Sequence, residues 1–193
     1  AKLEEALPEI AVLVLPAHRP LEPEQQAAIN SFVQHGNVLI ACGGTSGLDG
    51  LLGCRDQGPL AEAWFRPVGD GTHAVIQSMD ARHPLHAFGG RLVEASSDVT
   101  VLAEWLEAAH YCSDSDTWSQ ASLGPAATIR RAGTGYALLI AADLVHSVVR
   151  IQQGKPIHFD GQPAPDGTAP VNDGILKTDD GLVLDYERDR VPV

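Results

Sequence analysis

The chain has few basic residues and lacks a long apolar run. Of its 193 residues, 13 are Lys or Arg and 25 are Asp or Glu, so the formal net charge is -12 at pH 7. Phosphate backbones and anionic lipid surfaces attract basic protein faces, so this balance argues against nucleic-acid and membrane partners. A membrane-spanning helix needs about 18 or more consecutive apolar residues, and no stretch of the sequence approaches that length.

Cysteine is also scarce. The three cysteines, Cys42, Cys54 and Cys112, cannot all pair with one another, and their spacing matches no zinc-binding template. We therefore predict no metal and no cofactor. A reducing, cytoplasmic location is the simplest expectation, and a single disulfide stays open as an alternative.

The residues that are present favour a globular α/β domain, since 44% are hydrophobic and 20% are charged. The run "EIAVLVLP" at 9–16 predicts a strand buried on both faces, as in a parallel sheet. Residues 22–36 predict an amphipathic helix with Pro23 in its first turn, and "NVLIAC" at 37–42 predicts the next buried strand. This order of elements predicts a βαβ unit with a right-handed crossover.

The later part of this domain alternates between strand and loop patterns. We predict a hairpin of strands 61–68 and 71–79, joined by Gly69-Asp70-Gly71. Further predictions are a loop with one helical turn at 80–90, strands at 91–96 and 99–108, an exposed loop at 110–125, two strands around Gly133-Thr134-Gly135 within 126–143, and a helix at 144–154.

The composition changes near residue 155, which predicts two segments. Residues 1–154 form the α/β domain, and residues 155–193 form a Pro/Gly-rich linker and tail, with a small hairpin around Asp179-Asp180-Gly181 as one option. The chain starts inside a helical pattern without Met and ends without a cap or closing strand. We therefore expect a domain of a longer protein, with the other domains of that chain as its partners.

The stretch "NVLIACGGTSGL" at 37–48 carries the strongest candidate for chemistry. An apolar strand that ends at a cysteine and turns on glycine is typical of a nucleophile elbow. Cys42 would need a nearby base, for which His146 or His73 is a candidate, and N–H donors from the following turn. The alternative is a small buried residue at the end of a strand.

The same turn is a candidate ligand site. Gly43, Gly44, Thr45 and Ser46 lead from a strand toward a short helix, where backbone N–H groups can hold an anion. The turn lacks the lysine of a P-loop and the G-x-G-x-x-G spacing, so nucleotide binding is weakly supported. Asp143 follows an apolar strand and should lie at the same sheet edge, but a helix N-cap is the favoured interpretation of this residue.

Two other clusters have the atoms of metal ligands without a metal-binding pattern. His83 and His86 are three residues apart, but Pro84 between them argues against a helix that would align the two rings. His110, Cys112, Asp114 and Asp116 include an Asp-x-Asp pair that lacks the rest of a calcium loop. We predict an exposed loop in each case.

Three stretches resemble one superfamily: the segment from "EIAVLVLP" to "GGTSGL", the tripeptide "HPL" at 83–85, and "PAATIRRAGTGYALLIAADLVHS" at 125–147. Over residues 9–150 the chain is similar to the class I glutamine amidotransferase-like superfamily, in the branch of the ThuA-like proteins and the trimerisation domain of family 42 β-galactosidases. The resemblance implies an α/β, flavodoxin-like fold with a mostly parallel sheet flanked by helices. It also implies a strand before the first helix, which this chain lacks.

The amidotransferases of this superfamily use a Cys-His-Glu triad, and the resemblance carries it over only in part. Cys42 stands at the cysteine of the G-x-C-x-G motif, but Ile40 replaces the first glycine. At the place of the family's His-Pro-Glu, residues 141–147 contain Asp143 and His146 without a glutamate. The ThuA-like and β-galactosidase branches also lack the triad, and in the latter the domain is structural.

The resemblance therefore implies a non-catalytic accessory or assembly domain of a larger protein that acts on carbohydrate, with a homo-oligomer as a further option. One alternative is a cysteine-dependent hydrolase or amidotransferase-like enzyme with Cys42 as nucleophile. Another alternative is a small-molecule binding module at the turn of residues 43–47.

Overall fold

The computed structural model describes residues 3–68, 73–77, 79, 81, 84–107, 110–112, 117–119, 121–153, 177–178 and 181–182. In chain order the elements are α1 (Leu3–Ala6), a 3-10 turn (Leu7–Glu9), β1 (Val12–Leu15), α2 (Pro23–Gln34), β2 (Val38–Cys42), α3 (Asp49–Leu52), β3 (Cys54–Pro67), β4 (Leu85–Ala95), β5 (Thr100–Leu106), β6 (His110–Cys112), β7 (Thr117–Ser119), β8 (Ser122–Ala132), β9 (Gly135–Ile140), α4 (Leu144–Gln153), β10 (Lys177–Thr178) and β11 (Gly181–Leu182). Within these described residues, no helix has the length and hydropathy to cross a bilayer.

The predicted βαβ unit is present at β1, α2 and β2. Helix α2 begins at Pro23, and the Gln25 side chain accepts the Glu22 N–H at 3.0 Å, which holds the start of the helix. Ile29, Phe32 and Val33 are buried residues of the same helix and pack into the core. The prediction of this helix and of its apolar stripe is confirmed.

The seven-stranded sheet is mixed, with the strand order β1-β2-β9-β8-β5-β3-β4. β1 pairs with β2 and β2 with β9 in parallel, whereas the other four pairings are antiparallel. The α/β class is confirmed, but the expectation of a mostly parallel, flavodoxin-like sheet holds only at the β1-β2-β9 end. The reason is that direct strand-to-strand connections such as β8 to β9 are too short for a parallel crossover.

The middle of the chain differs most from the prediction. The expected strand at 61–68 is the end of the longer β3. The expected strand at 71–79 is a turn in its described residues. There Ile76 N–H donates to His73 O and Met79 N–H donates to Ile76 O, both at 2.9 Å. Residues 85–90, expected in a loop, begin β4, and β6 and β7 lie inside the expected loop 110–125. Tertiary pairing here overrides the local strand propensity.

The predictions for the C-terminal part of the chain agree more closely with the structure. β8 and β9 surround the predicted turn, and α4 begins where the helix was expected. β10 and β11 pair antiparallel around residues 179–180, as the hairpin option requires. Gly69 to Gly71, and most of residues 155–193, lie outside the described residues, so the domain boundary at 154 stays a prediction.

Strand β4 closes the antiparallel part of the sheet onto the end of β9. Arg91 N–H donates to Ala141 O at 3.0 Å, Asp143 N–H donates to Gly89 O at 3.1 Å, and Gly90 bridges Ala142. Trp105 is fully buried beneath this contact and donates its Nε1–H to Arg91 O at 3.1 Å. The closure brings β4 to the carboxyl end of the parallel strands.

The two faces of the parallel part are covered unequally. Leu39, Ala41 and Leu139 are buried on the side where α2 and α3 pack. On the opposite side, register places Val12, Val38 and Tyr136 in one row and Val14, Ile40 and Leu138 in the next. Leu138 is buried, and we call the other five residues the open face.

Three members of the open face are about half exposed: Val12 at 48%, Val14 at 51% and Tyr136 at 45%. The prediction that strand 9–16 is buried on both faces is therefore wrong. β1 is the edge strand of the sheet, and both α2 and α3 contact the core from the other side, so no described helix shields its outer face.

The closure of the sheet can be tested at Gly90. A Cβ there would lie 2.6 Å from Ala141 O and 3.0 Å from Trp105 Cζ2, so Gly90→Ala must push the two strands apart. We expect a loss of about 2 kcal/mol or more in the free energy of unfolding by urea. Gly50→Ala is the matched control, since a Cβ there meets nothing within 4 Å and alanine favours the helix. Equal stability of the two variants would contradict the closure.

Candidate functional site

The candidate site lies where β1, β2 and β9 end, because ligands of open parallel sheets bind at the carboxyl ends of the strands. Residues 16–22 follow β1, residues 43–48 follow β2, and Asp143 leads from β9 into α4. The closure by β4 adds residues 89–91 to this edge. The edge therefore combines segments that are far apart in the chain.

Cys42 is the last residue of β2 and is 6% exposed. Alternation along the strand points its side chain to the same side as Val38 and Ile40. Burial, and then the negative charge of Asp143, raise the pKa of the thiol, which favours the neutral form over the nucleophilic thiolate. Within the described part of the chain, the only non-glycine residue with a positive φ is Ser46, at 55°, so Cys42 itself does not occupy a strained elbow.

Asp143 and His146 act together at the start of α4. Asp143 Oδ1 accepts the His146 N–H at 2.9 Å, and Asp143 O accepts the Ser147 N–H at 2.9 Å, so Asp143 is the N-cap. Among the described residues, neither the imidazole of His146 nor that of His73 forms a hydrogen bond with the Cys42 sulfur. The catalytic role of Cys42 and His146 stays a prediction that these contacts do not favour.

The turn after β2 is buried and uses part of its backbone internally. Gly43 N–H donates to Ile140 O at 2.9 Å and to Ala142 O at 2.8 Å. Ser46 N–H donates to His18 Nδ1 at 3.2 Å, and Ser46 Oγ accepts the Arg19 N–H at 3.2 Å. These bonds anchor the turn to β9 and to the loop that follows β1, and the role of residues 43–46 in binding a ligand stays a prediction.

Three charged or titratable side chains at this edge were not singled out in the sequence: His18, Asp56 and Arg91. Arg91 donates through Nε to Asp56 Oδ2, Gly58 N–H donates to Asp56 Oδ1 at 2.9 Å, and His18 Nδ1 lies 4.0 Å from Asp56 Oδ2. The rule that sites form after parallel strands could have found His18, which follows β1. It could not have found Asp56 or Arg91, because long-range closure brings them there.

Electrostatics differ between the members of this cluster. Burial, and then the positive charge of Arg91, lower the pKa of His18, and they outweigh the opposing effect of Asp56 and Asp49. Burial would raise the pKa of Asp56, but the hydrogen bonds from Arg91 and the Gly58 N–H, with the Arg91 charge, lower it overall. At neutral pH the cluster therefore contains a neutral imidazole beside an ion pair.

The two weaker metal candidates are also partly placed. His86 lies in β4, is 5% exposed, and stacks on Trp64 with ring centroids 4.6 Å apart, while its Nε2 lies 2.6 Å from Glu62 Oε1. The exposed-loop prediction is therefore wrong for His86. Three other residues of these clusters lie outside the described residues: His83, Asp114 and Asp116. In the described part of the chain, no three His, Cys, Asp or Glu side chains are grouped as a metal site.

Three open grooves lie around α3. The largest of three, about 540 Å³, is lined by residues that include Asp49, Glu94 and Arg130, and its neighbours of about 340 and 260 Å³ run along α2. Arg130 forms the wall of the largest groove by pairing with Asp98 at 2.6 Å and donating to the carbonyls of Gly50 and Leu51. Arg130 therefore has a structural role in ending α3.

No protein-family model matches the chain, and no curated protein matches its sequence. Solved structures are similar to it in fold. The β-galactosidase from Bacillus circulans sp. alkalophilus is 18% identical, with a TM-score of 0.52 over 80% of this chain and 24% of that chain. The cytoplasmic protein STM3548 from Salmonella typhimurium is 13% identical, with a TM-score of 0.55 over 75% of this chain and 65% of that chain.

A second Salmonella structure, the cytoplasmic protein STM1381 from Salmonella typhimurium LT2, is 16% identical, with a TM-score of 0.51 over 72% of this chain and 63% of that chain. The chain thus spans less than a quarter of the β-galactosidase and less than two thirds of each Salmonella protein. At these identities the similarity is one of fold.

Thiol alkylation tests the catalytic role of Cys42. Because burial and Asp143 raise its pKa, we expect iodoacetamide at pH 7 to react with Cys42 more slowly than with free cysteine. The reaction is followed by mass spectrometry in a Cys112→Ser background, and Cys54, which is also buried with a raised pKa, is the internal control. A Cys42 that reacts faster than free cysteine would instead support the nucleophile.

The lowered pKa of His18 predicts a pH dependence of stability. Since its folded pKa lies below the ordinary 6.5, the unfolded chain takes up the proton first, and stability falls as the pH drops below about 6.5. Asp56 acts in a lower range, because its depressed pKa makes stability fall only below about 3.8.

His18→Asn keeps an acceptor for the Ser46 N–H and removes the titration. We expect urea unfolding to show a smaller loss of stability between about pH 7.5 and 5.5 in this variant than in the wild type. His35→Asn, at the C-cap of α2, controls for the removal of a histidine. Parallel pH profiles of wild type and His18→Asn would contradict the prediction.

Proposed function

We propose that the chain is a non-catalytic accessory domain that assembles with a second copy of itself through the open face. The observation that carries the proposal is the group of half-exposed apolar side chains at Val12, Val14 and Tyr136. Contiguous apolar surface of this kind is typical of interaction sites. In β1 they alternate with Leu13 and Leu15, which are partly buried and pack against the core, and in β9 Tyr136 lies between buried residues. They therefore cannot turn inward without displacing core residues.

The edge position of β1 adds a second reason for self-association. One side of β1 pairs with β2, and no described strand pairs with its other side. Unpaired strand edges tend to pair with another chain unless charge, proline or a covering element prevents it. β1 consists of Val12, Leu13, Val14 and Leu15, so it carries none of these protective residues.

The surroundings of Cys42 support a non-catalytic role. Its thiol is buried, and its pKa is raised by burial and then by the negative charge of the Asp143 carboxylate. A cysteine nucleophile needs the opposite environment, in which positive charge or a hydrogen-bonded base stabilises the thiolate.

We place this domain in the ThuA-like and family 42 β-galactosidase branch of the class I glutamine amidotransferase-like superfamily. The motif resemblance and the fold similarity to a β-galactosidase support this placement. They also support a role within a longer, carbohydrate-active protein, since the similar region is 24% of that β-galactosidase. A cytoplasmic location belongs to the same proposal, because two proteins of similar fold are cytoplasmic by name.

Sedimentation velocity over a wide concentration range tests the assembly. We expect the wild type to form an oligomer and Val14→Lys to shift it to monomer, because a lysine in the open face would place a charge in an apolar interface. Val75→Lys is the matched control, since Val75 is 49% exposed, close to the 51% of Val14, but lies in a turn outside the open face.

Circular dichroism melts establish that both variants fold. A wild type that stays monomeric at every concentration would overturn self-assembly, as would Val14→Lys and Val75→Lys variants that behave alike. If the domain stays monomeric but associates with another domain of a longer chain, self-assembly is overturned and that domain is the partner of the open face.

A further inference from the structure

We propose that the carboxyl edge of β1 and β2 binds a small oxyanion, a carboxylate or a phosphate, held by the terminal nitrogens of Arg91 and the Nε2–H of His18. The site uses residues outside the open face, so it does not depend on self-assembly. It extends the ligand hypothesis for residues 43–46 to side chains that the sequence did not indicate, and it names the class of ligand.

Arg91 is fixed in position while part of its guanidinium stays available. Its Nε donates to Asp56 Oδ2, and Asp56 is itself held by the Gly58 N–H at 2.9 Å. The two terminal nitrogens of Arg91 donate to no residue in the described part of the chain, and the side chain is 25% exposed. A guanidinium held through Nε presents the planar fork that binds carboxylate and phosphate oxygens in pairs.

His18 supplies a second donor with a defined tautomer. Its Nδ1 accepts the Ser46 N–H at 3.2 Å, so the proton of the neutral ring is on Nε2. The side chain is 25% exposed, and among the described residues nothing accepts the Nε2–H. Because burial and Arg91 lower the pKa of His18, the ring stays neutral at pH 7 and keeps this tautomer.

Gly44 brings the two side chains together. A Cβ on Gly44 would lie 2.5 Å from both Arg91 Cδ and His18 Nδ1, so the two groups converge over one residue that has room only as glycine. Its φ of 144° is also a conformation that favours glycine. Both side chains therefore pass over the turn after β2.

Thr45 provides an independent sign of a ligand beside this cluster. Its side chain is 1% exposed, and its hydroxyl forms no hydrogen bond with any described residue. The N–H groups of Gly44 and Thr45 also donate to none of the described residues. Buried polar groups in proteins are nearly always paired, so these three groups in two consecutive residues, which no described residue pairs, support the presence of a ligand here.

The charge of the surroundings favours a singly charged ligand. Asp56 neutralises Arg91 in part, Asp49 acts on His18, and the whole chain carries a charge of -12. A doubly charged phosphate meets more repulsion from these carboxylates than a carboxylate does. We therefore expect acetate to bind at least as tightly as inorganic phosphate.

A titration of the ¹⁵N-labelled chain with acetate, and separately with inorganic phosphate, tests the site. The backbone amide signals of Gly44 and Thr45 are followed by NMR at constant ionic strength, set with sodium chloride. We expect saturable shifts of these signals with acetate. If phosphate binds more tightly than acetate, the oxyanion site stands and phosphate is its ligand class, whereas the absence of saturable shifts with both anions overturns the proposal.

Two variants test whether each proposed donor contributes to anion binding without a role in folding. His18→Asn keeps the acceptor for Ser46 and removes the Nε2–H, and we expect about tenfold weaker binding without a change in melting temperature. Arg91→Gln removes the fork and should weaken binding by at least as much. Arg131→Gln removes one exposed positive charge away from Gly44 and should leave the affinity unchanged.

If Arg91→Gln does not fold, Arg91→Lys replaces it, since lysine keeps the charge beside Asp56 but lacks the fork, and binding should again weaken. Unchanged affinity in His18→Asn and in the Arg91 variant overturns the proposal. A loss of affinity in Arg131→Gln as large as that in the Arg91 variant also overturns it, because it would indicate an effect of charge only. Val14→Lys should bind acetate like the wild type, so a failure of assembly and a failure of this site are distinguishable.

Discussion

The contact between β4 and the residues after β9 determines how the rest of the molecule is arranged. Arg91 and Asp143 donate backbone hydrogen bonds to Ala141 and Gly89 across this contact, and Gly90 lets the two backbones approach. The contact ties the antiparallel strands back to the parallel ones and encloses Trp105. Without it, β4 would pair only with β3, and the candidate site would lose Arg91.

The path of the chain explains why α2 and α3 pack on the same side of the sheet. In a doubly wound sheet, successive crossover helices cover both faces. Here the chain leaves β2 through the single turn of α3 and returns to β9 only after a long antiparallel excursion, so α2 and α3 both pack on one side. On the opposite side, no described helix covers Val12 and Val14, which stay about half exposed. An apolar strand pattern therefore does not by itself mean burial on both faces.

The parts of the fold that follow local rules were predictable. Pro23, the apolar stripe of α2 and Gly36 mark a helix between two apolar runs, and Asp143 marks the start of α4. The sheet direction was not predictable, because it depends on the long-range pairing of β3, β5 and β8 rather than on the composition of any one strand. The position of Cys42 at a strand end was predictable, whereas its neighbours were not.

Two aspartates give the two halves of the candidate site opposite properties. Asp143 caps α4, and its negative charge acts on Cys42, where it adds to burial in disfavouring the thiolate. Asp56 instead accepts from Arg91 and fixes a guanidinium beside a neutral imidazole. The first arrangement disfavours the thiolate and the second leaves hydrogen-bond donors available, and both support the proposal of a non-catalytic domain with an oxyanion site at this edge of the sheet.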